Sequence, residues 1–182
     1  MEKQEFSTTS ADFDPDRILR TLIGCGVEFV LVGGLAARFH GATRATGDVD
    51  CVPALDAENM QRLAAAMKML NARLRIAGMS DSDARSLVLK LDARTLIGLG
   101  GSTWTTDAGP LDILVELRDG SGRPVPFEQL ERRAIFVKIG AVAVRLAALR
   151  DIVEAKTFAS RQKDLDALPE LHRLLDDYDP RE

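Results

Sequence analysis

The stretch that decides the fold runs Phe29-Val30-Leu31-Val32-Gly33-Gly34-Leu35-Ala36-Ala37-Arg38-Phe39-His40-Gly41 and, after a polar turn, Gly47-Asp48-Val49-Asp50-Cys51-Val52-Pro53. Residues 28–32 are a short, valine-rich apolar run, the composition of a buried strand. Gly33 and Gly34 release the backbone, and residues 35–40 suit a short helix ended by Gly41. Residues 43–47 read as a turn. Residues 48–53 read as a second strand closed by Pro53. Side chains alternate along a strand, so Asp48 and Asp50 share a face about 7 Å apart while Val49 points into the core.

Two carboxylates on one face repel unless a cation lies between them. Mg²⁺ suits such a pair, because it takes a few carboxylates and completes its shell with water and phosphate oxygens. A solvated edge or a helix cap would also explain the two aspartates. A third carboxylate, Asp112, is the single polar residue in the apolar run Leu111-Asp112-Ile113-Leu114-Val115. Beside the first two it would serve as a second metal ligand or a general base for phosphoryl transfer. Gly33-Gly34 has two readings: a tight turn, or a strand-to-helix junction where small residues let a phosphate approach exposed N–H groups.

Outward from this centre, Asp14-Pro15 opens a helix with Ile18, Leu19, Leu22 and Ile23 on one face, ended by Gly24 or Gly26. Asp56 caps a strong helix over 57–70. Residues 80–91 read as a further helix. Residues 102–106 and 111–117 read as strands joined by the turn Asp107-Ala108-Gly109-Pro110. Residues 119–126 read as a Gly/Pro loop, and 127–132 as a short helix. A second hairpin follows over 134–146 with Gly140 at its turn. The remainder reads as helices over 149–160 and 163–178, the second interrupted by Pro169. The element order implies an α+β or α/β fold: a mixed sheet of four or five strands, covered by helices on one face, with a helical C-terminus. The expected organisation is a flexible N-terminal segment (1–14), a folded domain (15–147), and C-terminal helices (148–182) packed on it.

With 182 residues, 46% hydrophobic and 29% charged, the chain has the material for one sizeable core. No apolar run approaches the ~20 residues a membrane span needs, and the polar, acidic start is unlike a secretory signal. A net charge of −4 argues against a general nucleic-acid coat, though not against a local basic groove formed by Arg17, Arg20, Arg38, Arg44, Arg145, Arg150 and Lys156. Two cysteines, Cys25 and Cys51, form neither a disulfide framework nor a metal spacing. A reducing, cytoplasmic setting is expected.

The residues resemble a known family. Val32-Gly33-Gly34, thirteen residues, then Asp48-Val49-Asp50 is similar to the motif of the polymerase-beta-type nucleotidyltransferase superfamily, and Asp112 matches its third aspartate. Gly33-Gly34, His40-Gly41, Arg44-Ala45-Thr46 and Asp48-Val49-Asp50 resemble small prokaryotic nucleotidyltransferases related to abortive-infection (type IV toxin–antitoxin) toxins. Thr105-Thr106 with Gly109, Leu111-Asp112, Lys156 and Lys163-Asp164-Leu165 continue the likeness. The resemblance implies catalytic, metal-holding Asp48, Asp50 and Asp112, and a nucleotide site of Gly33, Gly34, Arg44, Thr46 and Lys156. It implies Mg²⁺ (or Mn²⁺), an NTP donor, and a hydroxyl or phosphate acceptor on tRNA, protein or a small molecule. A toxin of this group would have an antitoxin partner. A catalytically inactive nucleotide-binding or interaction protein of the same fold is the alternative. Many superfamily members carry Gly-Ser where this chain has Gly33-Gly34, a loss of one hydrogen bond of about 0.5–1.5 kcal/mol.

The surrounding residues carry paired expectations. Arg44 would clamp a triphosphate or pair with Asp48 or Asp50. Thr46 would bond a phosphate or cap the turn. His40 is a packed or capping residue rather than a base. Lys156 would reach donor phosphates or lie solvated on its helix. Lys163 and Asp164 start a helix or belong to the site. Trp104 packs.

Overall fold

A computed structural model describes residues 13–76, 78, 89–139 and 142–178. In chain order the elements are α1 (Pro15–Gly24), β1 (Phe29–Val32), α2 (Gly33–Phe39), β2 (Val49–Pro53), α3 (Ala57–Met69), β3 (Arg73–Leu74), α4 (Ala93–Leu99), β4 (Ser102–Thr106), β5 (Gly109–Ile113), β6 (Glu116–Arg118), β7 (Pro124–Pro126), α5 (Phe127–Arg133), β8 (Ile135–Ile139), β9 (Val142–Leu146), α6 (Leu149–Ala159), α7 (Gln162–Leu165) and α8 (Leu168–Tyr178). Seven strands form one mixed sheet in the order β3-β4-β5-β2-β1-β9-β8, and β6 pairs with β7 in a separate ribbon. The expected α+β mixed sheet is present, with more strands than the four or five read from the sequence.

The centre of the sheet sets the register that matters. β1 and β2 run antiparallel with Val32 opposite Asp50, and β2 and β5 run parallel with Asp50 opposite Asp112. All four residues of β1 are buried, so both of its faces are covered. That corrects the expectation of a sheet covered on one face, and it follows from a strand that is apolar on both sides. Asn59 locks the register. Its fully buried amide donates to the carbonyls of Glu28 and Ala54, each at 2.8 Å, and its oxygen accepts from the Glu28 N–H at 2.7 Å. One side chain on α3 thus ties the start of β1 to the end of β2.

The caps form as expected. Asp14 accepts from the Arg17 N–H and Asp56 from the Asn59 N–H, each at 2.9 Å. Gly26, past the end of α1, has φ +71°. Trp104 is buried and its indole N–H donates to Ser102 Oγ at 2.9 Å. Both cysteines are free, and burial pushes the Cys51 thiol far up, out of reach of ionisation.

Several boundaries differ. The run expected as one strand over 111–117 breaks after Ile113. The Leu114 N–H still reaches the Cys51 carbonyl at 2.9 Å, and the chain then leaves the sheet for β6. The expected 119–126 loop is a hairpin tip closed by β7, whose prolines sit in a two-stranded ribbon that spares their missing N–H groups. The interruption expected at Pro169 falls at residues 166–167, between α7 and α8, and Pro169 lies in the first turn of α8, where proline fits. α4 was not foreseen because Thr95, Ile97 and Gly98 are weak helix formers; Asp92 caps it by accepting from the Thr95 N–H at 2.9 Å. The expected helix over 80–91 falls largely outside the described residues, as do Gly140 and residues 1–12. No described helix is long and apolar enough to cross a membrane.

Candidate active site

The β1–β2–β5 register brings the three aspartates together. Asp48 stands just before β2, Asp50 within it and Asp112 on β5, and one carboxylate oxygen from each lies within 4.8 Å of the others. Two full charges at that separation repel by about 3 kcal/mol at an effective dielectric of ~20. Burial, and then the charges of Asp48 and Asp112, push the Asp50 carboxyl up to about 7; Lys163 and Lys156 act in the opposite direction. Burial also raises Asp112, against a hydrogen bond from Thr103. Asp112 Oδ1 is buried with no hydrogen-bond partner. A cluster of three carboxylates, one of them with an orphaned oxygen, is a donor set that a divalent cation satisfies. The residues therefore fit a divalent cation.

The glycines make room for this cluster. Gly33 has φ +67°, and a Cβ built on it would lie 2.0 Å from Asp50 Oδ2. A Cβ on Gly34 would lie 2.7 Å from Thr46 Oγ1. The space beside each glycine is filled by the chain's own Asp50 and Thr46. Their smallness is thus required first by the aspartate pair and its supporting threonine. Thr46 neither caps the turn nor stands free: its hydroxyl donates to Asp48 Oδ1 at 2.8 Å and so orients that carboxylate.

Gly33, Gly34, Arg44, Thr46, Asp48, Asp50, Asp112 and Lys156 all line one cleft of about 440 Å³. Arg44 is exposed there and makes no ion pair with Asp48 or Asp50. Of the basic residues expected to form a rim, only Arg44 and Lys156 line this cleft; Arg20 pairs with Asp16 and Arg145 with Glu131. Arg118, Arg161 and Lys163 join them instead. His40 is packed as expected, its Nε2 2.8 Å from the Ala147 carbonyl, a contact that places the ring N–H at that nitrogen.

The sequence reading missed Arg161, taken as a helix break, and left Asp164 undecided. Asp164 is fully buried and accepts from Lys156 Nζ at 3.0 Å and from Arg161 Nε at 2.6 Å. The only local signal was the i,i+3 spacing of Arg161 and Asp164; the lysine comes from another helix.

No protein-family model and no curated protein matches the chain. Its structural neighbours include the lincosamide antibiotic adenylyltransferase LnuA in its lincomycin-bound form, at TM-score 0.58 and 13% identity over 90% of this chain and 99% of that one. Another is ANT(2")-Ia in complex with adenylyl-2"-tobramycin, at TM-score 0.55 and 16% identity, covering 88% of this chain and 87% of that one. A solution structure of ANT(2'')-Ia matches with the same score and identity. At these identities the likeness concerns the arrangement of the backbone, over nearly the whole length of both partners. The chain has the nucleotidyltransferase fold.

Proposed function

We propose that this protein is a Mg²⁺-dependent nucleotidyltransferase that moves a nucleoside monophosphate from an NTP to a hydroxyl or phosphate acceptor. The observation that carries the reading is the convergence of Asp48, Asp50 and Asp112 with one buried, unpartnered oxygen on Asp112. A chain that had lost catalysis would have no need to hold three repelling carboxylates at the end of a sheet.

Asp48, Asp50 and Asp112 would hold the cation, with Thr46 fixing Asp48. When bound, the ion would neutralise charge on the donor phosphates and polarise the α-phosphorus. Lys156, Arg161, Lys163 and Arg44 face the same cleft and would bind the phosphate oxygens. The acceptor oxygen forms a bond to the α-phosphorus as the bond to the β-phosphate oxygen breaks and pyrophosphate leaves. The Asp112 carboxylate would complete the site as a ligand or take the proton of an acceptor hydroxyl.

The reading is tested by incubating the protein with α-labelled NTPs and Mg²⁺ or Mn²⁺ in the presence of total RNA, a cell lysate or a panel of hydroxyl-bearing small molecules. The panel is warranted because the neighbours' names speak of lincomycin and of adenylyl-tobramycin. Label transfer that disappears in the Asp48→Ala/Asp50→Ala double variant is expected. Absence of both transfer and NTP binding in the wild type overturns the reading. A narrower version makes the chain a cytoplasmic toxin acting on tRNA or protein and restrained by an antitoxin. Growth arrest on expression, relieved by Asp48→Ala, is its expected outcome.

A further inference from the structure

Among the large apolar side chains left exposed in the described residues, Phe158 on α6 is the one that lines the cleft. It is also the one aromatic side chain among the described residues lining it. Phe158 is 49% exposed, and the tip of the β6–β7 ribbon seats one edge of its ring: a Cβ on Gly122 would lie 2.7 Å from Phe158 Cε2 and 3.4 Å from Cδ2. The Gly122 carbonyl also accepts from Arg118 Nη1 at 3.2 Å, and Arg118 Nη2 pairs with Glu116 at 2.7 Å. One hairpin tip therefore holds an aromatic ring and a guanidinium–carboxylate pair next to each other. Phe158, Arg118, Glu116 and Leu117 all line the cleft that contains Asp48, Asp50 and Asp112.

An NTP whose phosphates meet Lys156 carries a base that must lie elsewhere in the cleft. Phe158 is two residues from Lys156 on the same helix, and both line the cleft. The turn over 42–47 and α8 line it too, with Ala42, Ala45, Glu170 and Leu171, and they offer no aromatic face there. A planar heterocycle gains most against a π-face, and covering the exposed part of the ring also removes apolar surface from water.

We propose that Phe158 is the platform on which the nucleobase of the NTP donor stacks, with Arg118 and Glu116 beside it to meet the polar edge of the base. The proposal rests on the nucleotidyl-transfer reading above. The ring supplies affinity for any base, since every base has a π-face. Arg118 donates and Glu116 accepts, so the pair supplies preference among bases. A phenylalanine that only packs α6 against the ribbon would leave nucleotide affinity untouched when replaced by an apolar residue of similar size.

Calorimetry on the whole chain with Mg²⁺ and no acceptor, comparing ATP, GTP, CTP and UTP with inorganic tripolyphosphate, separates the two roles. Tripolyphosphate offers phosphates without a base. The wild type is expected to bind at least one NTP more tightly than tripolyphosphate. Phe158→Leu keeps apolar bulk against Gly122 but loses the plane. Its NTP affinity is expected to fall about tenfold, within what one base–aromatic stack supports, with tripolyphosphate affinity unchanged. Phe158→Tyr keeps the plane and retains the NTP preference. Three results overturn the platform and leave the nucleotidyl-transfer reading standing: a folded Phe158→Leu protein with wild-type NTP affinity, an equal loss of tripolyphosphate binding in it, or a wild type that binds tripolyphosphate as tightly as every NTP. A wild type that binds neither overturns the platform, and one that also transfers no label overturns the reading with it. Should Phe158→Leu not fold, the wild type still decides the matter. The stack requires NOEs between the Phe158 ring and the base protons in the NMR spectrum of the NTP-saturated chain, and their absence refutes it.

Discussion

Asp50→Asn is expected to stabilise the metal-free protein while abolishing its response to metal. In the fold the Asp50 carboxyl is raised from 3.8 to about 7, first by burial and then by Asp48 and Asp112. A carboxyl raised in this way contributes its full stability below the unfolded-state value and loses it as pH climbs through the folded one. By pH 8, without metal, the native state carries a charge that costs roughly three pK units, or about 4 kcal/mol as a ceiling. Asparagine is nearly isosteric and carries no charge. The stability gap in favour of Asp50→Asn should therefore widen by roughly 2–3 kcal/mol between pH 5 and pH 8. Each kcal/mol moves the midpoint of a chain this size by roughly 2–4 °C. Thermal melts by circular dichroism at pH 5, 6, 7 and 8 in EDTA read this directly. Repeating them in Mg²⁺ or Mn²⁺ should raise the wild type and leave the variant where it was. A variant that melts at or below the wild type at pH 8 in EDTA, with a gap that does not grow with pH, refutes the argument that the cluster is held under repulsion.

Three further outcomes follow from the geometry. Gly33→Ala adds a Cβ 2.0 Å from Asp50 Oδ2 at a positive φ, so it should displace that carboxylate, lower stability by over ~1 kcal/mol and weaken Mn²⁺ binding; unchanged metal affinity would contradict the packing described. Thr46→Val removes the hydroxyl that orients Asp48 and should lower metal affinity by about tenfold with little change in melting temperature, measured by calorimetry and melts on the same sample. Asn59→Ala removes three hydrogen bonds to the backbone of Glu28 and Ala54 and should cost roughly 2–4 kcal/mol in urea unfolding. Metal affinity of the molecules still folded should not change.

The central motif was legible in the sequence alone. Valine-rich β1, the Gly33-Gly34 release and the alternating Asp48-Val49-Asp50 are local patterns, and local patterns are what periodicity and turn propensity report. The caps at Asp14 and Asp56 were legible for the same reason, since each acts on a backbone N–H three residues away. Strand pairing is not local. That Asp112 stands opposite Asp50 depends on a parallel register across 62 residues of chain, which spacing alone does not contain. The outer strand β3 is two residues long, too short for any period, and its partners decide that it exists. The roles of the small residues changed most. Gly33 and Gly34 read as a tight turn or a phosphate site, and only the packed structure shows Asp50 and Thr46 lying where their Cβ atoms would be. The sequence left Asp164 open between a helix start and the site because its lysine partner arrives from another helix. Residue type and spacing announced three carboxylates; tertiary packing brought them together and decided which neighbours orient them, because those contacts join elements the sequence keeps apart.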